Sequence, residues 1–246
     1  MSRRRSKPNA ERRLQRGAAS RWRGNRIFYV AVEGERTEPD YLSYLNREFG
    51  AEHQFFVHPI HRANGMAPGE TVARVIEERE NDGGDEPQTQ YWAMFDRDEH
   101  PDVAAALRTA NRHGIRVAFS HPSFDLWLLL HFIPVSERQH GSSQWIQQKL
   151  RQQHAFGRFG SASGEKSLNN TRAAAIADKH EVAARRARQL VDDCPSRRCS
   201  AATGHVIDCD PLKRDPSTDV WCLLAELGAI AQPSTDTSPG RDRTTE

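Results

Sequence analysis

No stretch of this 246-residue chain is apolar over the length a bilayer crossing requires, so an integral membrane role by helices is excluded at the outset. The first residues carry no apolar segment of the secretory type, and the expectation is a cytoplasmic protein. Cysteine is absent until residue 194, and then four appear: Cys194, Cys199, Cys209 and Cys222. A disulfide framework is therefore not expected, and free thiols are. Lysine is scarce, with five residues against thirty arginines. Hydrophobic residues make up 37%, low for a compact domain of this size, which predicts that part of the chain lies outside the core.

The net charge of +2 conceals a strong asymmetry. Up to Arg26 ten basic residues face a single acid, Glu11, so the rest of the chain is net acidic. Residues 1–26 are expected to be a disordered basic arm. Its guanidinium groups, among them Arg3, Arg4, Arg5, Arg21 and Arg23, are of the kind that grips phosphate in two-pronged fashion. The arm is a candidate nucleic-acid contact and equally reads as a solvated tail. Residues 232–246 are expected to be a second disordered tail.

Between them the pattern alternates. Ile27–Val32, Gln54–Pro59, Tyr91–Phe95 and Ile115–Phe119 are short β-type apolar runs. Helical spacing follows each: Tyr41, Leu42, Tyr44, Leu45 and Phe49 after the first, a stretch near 70–80 after the second, Pro101–His113 after the third. Thr37 is expected to cap the first helix, and Ser123 the apolar helix that follows the fourth strand. Strand–helix alternation at this spacing argues for a four-stranded, mainly parallel α/β sheet with helices on its faces, over residues 27–135. Residues 136–231 read as a helical insertion or cap, with one long helix over Thr171–Val191 and a closing helix capped by Ser217 or Thr218.

Acids stand where strands end. The first strand runs into Glu33, and the third into Asp96 and Asp98, one residue apart. In a parallel sheet the carboxyl ends of the strands share one rim, so these groups can converge although sixty residues separate them. Several hard oxygen donors at one point suit Mg²⁺ or Mn²⁺, and a turn with capping aspartates is the plainer alternative. Asp125, after the fourth strand, belongs to the same rim. Farther on, Cys194-x4-Cys199-x5-His205-x3-Cys209 is a loose zinc-type pattern that lacks the usual Cys-x2-Cys pairing, and other ligand sets fit it too.

Four blocks, in order over roughly residues 27–228, carry a resemblance. Val32-Glu33-Gly34-Glu35-Arg36-Thr37-Glu38-x-x-Tyr41 and Phe95-Asp96-Arg97-Asp98-Glu99-His100 resemble the two acidic motifs of the Toprim fold. With Ser120-His121-Pro122-Ser123-Phe124-Asp125 and Asp215-Pro216-Ser217-Thr218, they resemble the RloB family of Toprim-like proteins. The resemblance implies a metal-dependent nuclease on DNA or RNA in bacterial anti-phage defence, often acting with an AAA-type or ABC-type ATPase. It leaves oligomerisation open. A non-catalytic nucleic-acid-binding or regulatory subunit of a defence system is the alternative.

By the same resemblance Glu33 takes the place of the general acid/base, and Asp96 and Asp98 that of the metal-binding pair. Arg36, Thr37, Glu38, Asp125 and Lys166 are accessory candidates. The chain departs from the family pattern with His121 and Asp215 where asparagine is usual, Asp125 where glutamate is usual, and no Tyr-x-Lys signal around Gly164–Lys166.

Overall fold

A computed structural model describes residues 26–232, apart from 84–86, 98–99, 137, 139–141, 162–164, 203 and 207–208. The basic arm with Arg3, Arg4, Arg5, Arg21 and Arg23, the C-terminal tail beyond 232, and Asp98 lie outside the described residues.

Strand β1 (Arg26–Val32), helix α1 (Thr37–Phe49), β2 (Phe55–Ile60), α2 (Pro68–Asp82), β3 (Thr89–Asp96), α3 (Val103–Arg112) and β4 (Arg116–His121) alternate as the apolar runs predict. The sheet order is β2-β1-β3-β4-β5, with β1 to β4 parallel. Period-two alternation along β1 divides the core. Phe28, Val30 and Val32 face one side, and Ala31 the other. On Ala31's side lie Val72 and Val75 of α2 and Val103, Ala106 and Ala110 of α3. On the opposite side α1 packs together with the helices that follow β4. A sheet covered on both faces explains why its strands read as continuous apolar runs.

The fifth strand is a departure from the four expected. Ser217–Thr218 forms β5, antiparallel to β4, pairing Thr218 with Ser120 and Ser217 with His121. Both residues are ladder partners, and Thr218 also serves the helix start, its hydroxyl accepting the Val220 N–H at 3.4 Å. The Ser120 and Thr218 hydroxyls are 3.0 Å apart in the buried sheet edge, and the closing helix α8 (Val220–Leu227) starts behind Asp219, whose own side chain makes no cap bond.

Helices α4 (Asp125–Leu130), α5 (Gln144–Arg151), α6 (Asn170–Ile176) and α7 (His180–Asp192) fill the second face. The long helix expected over 171–191 is broken by a 3₁₀ turn at Ala177–Lys179. The break falls where His180 enters α7 and turns its ring inward. There Nδ1 sits 3.0 Å from His131 Nε2, and Nε2 sits 2.9 Å from the Tyr44 hydroxyl. Burial pushes both imidazoles down, His180 to about 4, so the chain of rings is neutral. Trp127, fully buried in α4, donates its indole N–H to the Tyr41 hydroxyl at 2.8 Å and so ties α4 to α1.

Thr37 and Ser123 do not cap. The Thr37 hydroxyl instead donates to the Lys166 carbonyl at 2.5 Å, and the Ser123 hydroxyl is buried without a partner among the described residues. Both are diverted toward the rim where the strands end.

Candidate active site at the sheet rim

Strand β1 delivers Glu33 by continuing its ladder one residue past the strand, its N–H bonding the Met94 carbonyl at 3.0 Å. The Glu33 carbonyl accepts from Met66 N–H at 2.9 Å, which pins the loop after β2 against the same edge. The Glu33 carboxylate then reaches sideways: Oε2 accepts the N–H of Asp96 at 2.9 Å, and Oε1 lies 3.0 Å from His100 Nε2. Asp96 is aimed in turn, Oδ2 accepting the N–H of Phe124 at 3.0 Å. A chain of backbone-to-carboxylate bonds therefore sets β1, β3 and the start of α4 relative to one another.

Glu38 enters from the first turn of α1. It is buried, and its carboxylate occupies the space a side chain at position 34 would fill: a Cβ on Gly34 would overlap the Glu38 carboxylate oxygens. A side chain at position 34 would displace the Glu38 carboxylate from this place. Asp125, the first residue of α4, is buried as well, and its Oδ2 has no hydrogen-bond donor among the described residues. The nearest cation is Lys166, whose Nζ lies 3.6 Å away.

Glu33, Glu38, Asp96, Asp125, His100 and Lys166 all line one cavity of about 770 Å³. Burial raises Glu38 to about 7, with Asp125 and Glu33 adding repulsion and Lys166 opposing it. Burial, then Glu38 and Glu33, hold Asp96 well above the usual carboxylate range. Lys166 is pushed up, chiefly by Asp125. So many acids in one pocket is an arrangement that costs free energy without a counter-ion, and one lysine does not balance them. Ser123 and Asp125 also line this cavity, and the Ser123 hydroxyl and Asp125 Oδ2 are buried without a hydrogen-bond partner among the described residues. This donor set is all oxygen and acidic, and it fits a hard divalent cation such as Mg²⁺ or Mn²⁺.

Lys166 is held by its backbone. Its carbonyl takes the Thr37 hydroxyl, and the N–H of Leu168 donates to Asp40 Oδ2 at 3.0 Å. The buried Arg172 grips the carbonyls of Glu165 and Ser167 at 3.1 and 2.5 Å. Arg36, by contrast, is exposed and meets Glu165 at 3.7 Å.

Of the candidates named from sequence, Glu33, Asp96, Glu38, Asp125 and Lys166 are thus brought together, with Thr37 as the tether of the lysine. Sequence reasoning ranks Glu38 as an accessory and gives His100 no role. A glutamate in a first helical turn reads as a dipole partner. His100 closes the second acidic block, and no spacing rule connects it to Glu33.

The third and fourth sequence blocks meet on the same rim through the β4–β5 ladder. His121 Nε2 lies 3.9 Å from Asp215 Oδ2, so the two positions that depart from asparagine face each other. Beside them Arg97, Arg138 and Lys213 join His121 and Asp215 in lining a second cavity of about 370 Å³. The basic side of α7 is more ordinary: Arg186 bonds the Leu130 carbonyl at 2.7 Å and Arg188 the Ala231 carbonyl at 2.6 Å. Away from the rim, Cys194, Cys199, His205 and Cys209 bring their ligand atoms within 4.8 Å of one another, a group able to hold a metal. Among the described residues no helix is long and apolar enough to cross a membrane.

The family model described as RloB-like protein matches residues 28–227, and the chain belongs to that family. No curated protein and no solved structure matches it.

Proposed function

We propose that this RloB-like protein is a divalent-metal-dependent nuclease that hydrolyses phosphodiester bonds in DNA or RNA. The observation that carries the reading is the convergence of Glu33, Glu38, Asp96 and Asp125 on one cavity, with Glu38 raised to about 7 and Asp125 Oδ2 lacking a donor among the described residues. Bound there, Mg²⁺ or Mn²⁺ would neutralise phosphate charge and polarise the scissile phosphodiester. Glu38, Asp96 and Asp125 supply the oxygen donors, and family resemblance adds Asp98.

The remaining roles belong to the chain. Glu33 is oriented through Oε2 by the Asp96 N–H and stands with Oε1 beside His100 Nε2, and the role we give it is to take and return a proton. Lys166 projects its ammonium over Asp125 at the mouth of the same cavity, about half exposed, where it can meet a phosphate oxygen. The neighbouring cavity with Arg97, Arg138 and Lys213 offers a positive flank along which a nucleic-acid backbone can lie, and the arginine-rich arm extends that attraction in a salt-dependent way. The bacterial-defence setting and an AAA-type or ABC-type ATPase partner are carried from the family resemblance as part of the same proposal.

The test is cleavage by the purified full chain, with Mg²⁺ and with Mn²⁺, of single- and double-stranded DNA and RNA. Glu33→Gln and Asp96→Asn are expected to abolish cutting while still folding and unfolding in one cooperative transition, at a temperature no lower than wild type for Asp96→Asn at neutral pH. Wild-type rates in both variants would remove the proposed site. Salt-dependent binding with no cleavage under any condition would replace the nuclease by a binding subunit.

A further inference from the structure

The segment between α7 and β5 is poor in apolar residues, yet it holds three of the chain's four cysteines with their side chains turned toward one point. Cys194 follows the end of α7, Cys199 sits in the next turn, His205 follows a small bridge between Ser200 and Gly204, and Cys209 precedes the turn at Pro211–Lys213. Cys194, Cys199 and Cys209 are buried and unbridged. Cys194 Sγ and Cys209 Sγ are 3.5 Å apart, and Cys209 Sγ lies 3.9 Å from His205 Nδ1.

Those separations are too long for a sulfur–sulfur bond of about 2.05 Å. They match the edge of a zinc tetrahedron, where sulfurs about 2.3 Å from the ion stand roughly 3.8 Å from one another. With all four ligand atoms inside 4.8 Å, only a small contraction separates the group from that geometry.

The surroundings have the chemistry of thiolates. Arg214 donates Nε–H to Cys209 Sγ at 3.4 Å and Nη2–H to the Cys209 carbonyl at 2.9 Å, while its charge is shared with Asp219 at 3.5 Å. The Ser196 hydroxyl lies 3.0 Å from Cys199 Sγ and 3.6 Å from Cys194 Sγ. Three thiolates with one Zn²⁺ leave a net charge of −1, and an adjacent guanidinium offsets it. His205 turns Nδ1 toward Cys209 Sγ, and its other ring nitrogen, Nε2, is buried with no hydrogen-bond partner among the described residues.

We propose that Cys194, Cys199, His205 and Cys209 bind one structural Zn²⁺ ion. Soft sulfur donors with one imidazole select zinc over Mg²⁺ or Mn²⁺, which the oxygen-lined rim prefers. Four protein ligands close the coordination sphere, so this ion has no open position for catalysis. Its work is positional. It pins a segment with little core of its own, and that segment leads through Arg214 and Asp215 directly into β5, the strand that completes the sheet beside the rim.

The experiment is elemental analysis of the full chain purified without chelator, followed by Co²⁺ loading in excess Mg²⁺, which keeps oxygen sites occupied. About one zinc per chain is expected. The Co²⁺ form should show a thiolate charge-transfer band and the strong visible bands of four-coordinate cobalt. His205→Ala should weaken zinc by more than about 100-fold in chelator competition, and His205→Cys should keep it bound. Absence of zinc together with absence of the thiolate band overturns the site. So does a Cys194–Cys209 disulfide in the freshly purified native protein, or undiminished zinc affinity in His205→Ala. Because the readouts are metal content and spectrum, they stand or fall separately from nuclease activity.

Discussion

Replacing Glu38 by glutamine should stabilise the metal-free protein, and only at neutral to alkaline pH. The side chain is buried, and its carboxyl titrates near 7 instead of its ordinary 4.5, first because of burial and then because of Asp125 and Glu33. Between those two values the folded state retains a proton that the unfolded chain has released. Stability therefore falls as pH rises through the window from 4.5 to 7, and the loss is complete above it. A difference of this size corresponds to about 3 kcal/mol at about 1.4 kcal/mol per pH unit. Glutamine keeps the shape under Gly34 and carries no charge at any pH. At pH 8 the variant should melt roughly 6–12 °C above wild type, taking about 2–4 °C per kcal/mol for a chain of this length. At pH 5 the two curves should nearly coincide.

Buried histidines contribute a pH dependence of the opposite sign, but it is common to both proteins and cancels in the difference. Mg²⁺ at saturating concentration should close the gap at pH 8, since an ion held by the ionised acids stabilises wild type by about 2.7 kcal/mol at one hundred times its dissociation constant. Thermal melts at both pH values, with and without Mg²⁺, decide the matter. An equal difference between variant and wild type at pH 5 and pH 8, or a less stable variant at pH 8, would refute the argument from crowded carboxylates.

Two further outcomes follow from the same geometry. His180, held at about 4 rather than 6.5 by burial, gives stability that is complete above pH 6.5 and lost as pH falls toward 4, so His180→Gln should flatten the acid limb of a denaturation series by about 3 kcal/mol while costing stability at neutral pH through the lost ring contacts. Lys166→Ala should lower cleavage by about 100-fold, as removal of a single charge-stabilising donor does, with circular dichroism unchanged; a wild-type rate would remove Lys166 from the site.

The main sheet was readable because each of its four parallel strands is an apolar run closed by a turn signal, and burial on both faces demands that composition. Ser217–Thr218 could not be read as a strand. Two residues have no period, and a Ser-Thr pair before an apolar helix reads as a cap, which Thr218 partly is, with nothing to show that Ser120 stands opposite it. Nor does anything at Ala177–Lys179 announce a break: no glycine or proline stands there, and the turn coincides with the inward placement of His180 against Tyr44 and His131, contacts made with residues far away in the chain.

The acids of the rim show the same division. Glu33 and Asp96 sit at strand ends, a location that topology makes meaningful, whereas Glu38 and His100 gain their significance from neighbours that spacing does not reveal. Asp98, named with them from sequence, lies outside the described residues. For the cysteine cluster the irregular x4, x5 and x3 spacings hide what the fold makes compact.

The central claim is that the acids at the strand ends form a divalent-metal site, and anomalous diffraction from Mn²⁺-soaked crystals tests it most directly. The account predicts a peak among Glu33, Glu38, Asp96 and Asp125, lost in Asp96→Asn. Strong Mn²⁺ density elsewhere in the molecule, with none at this rim, would contradict it.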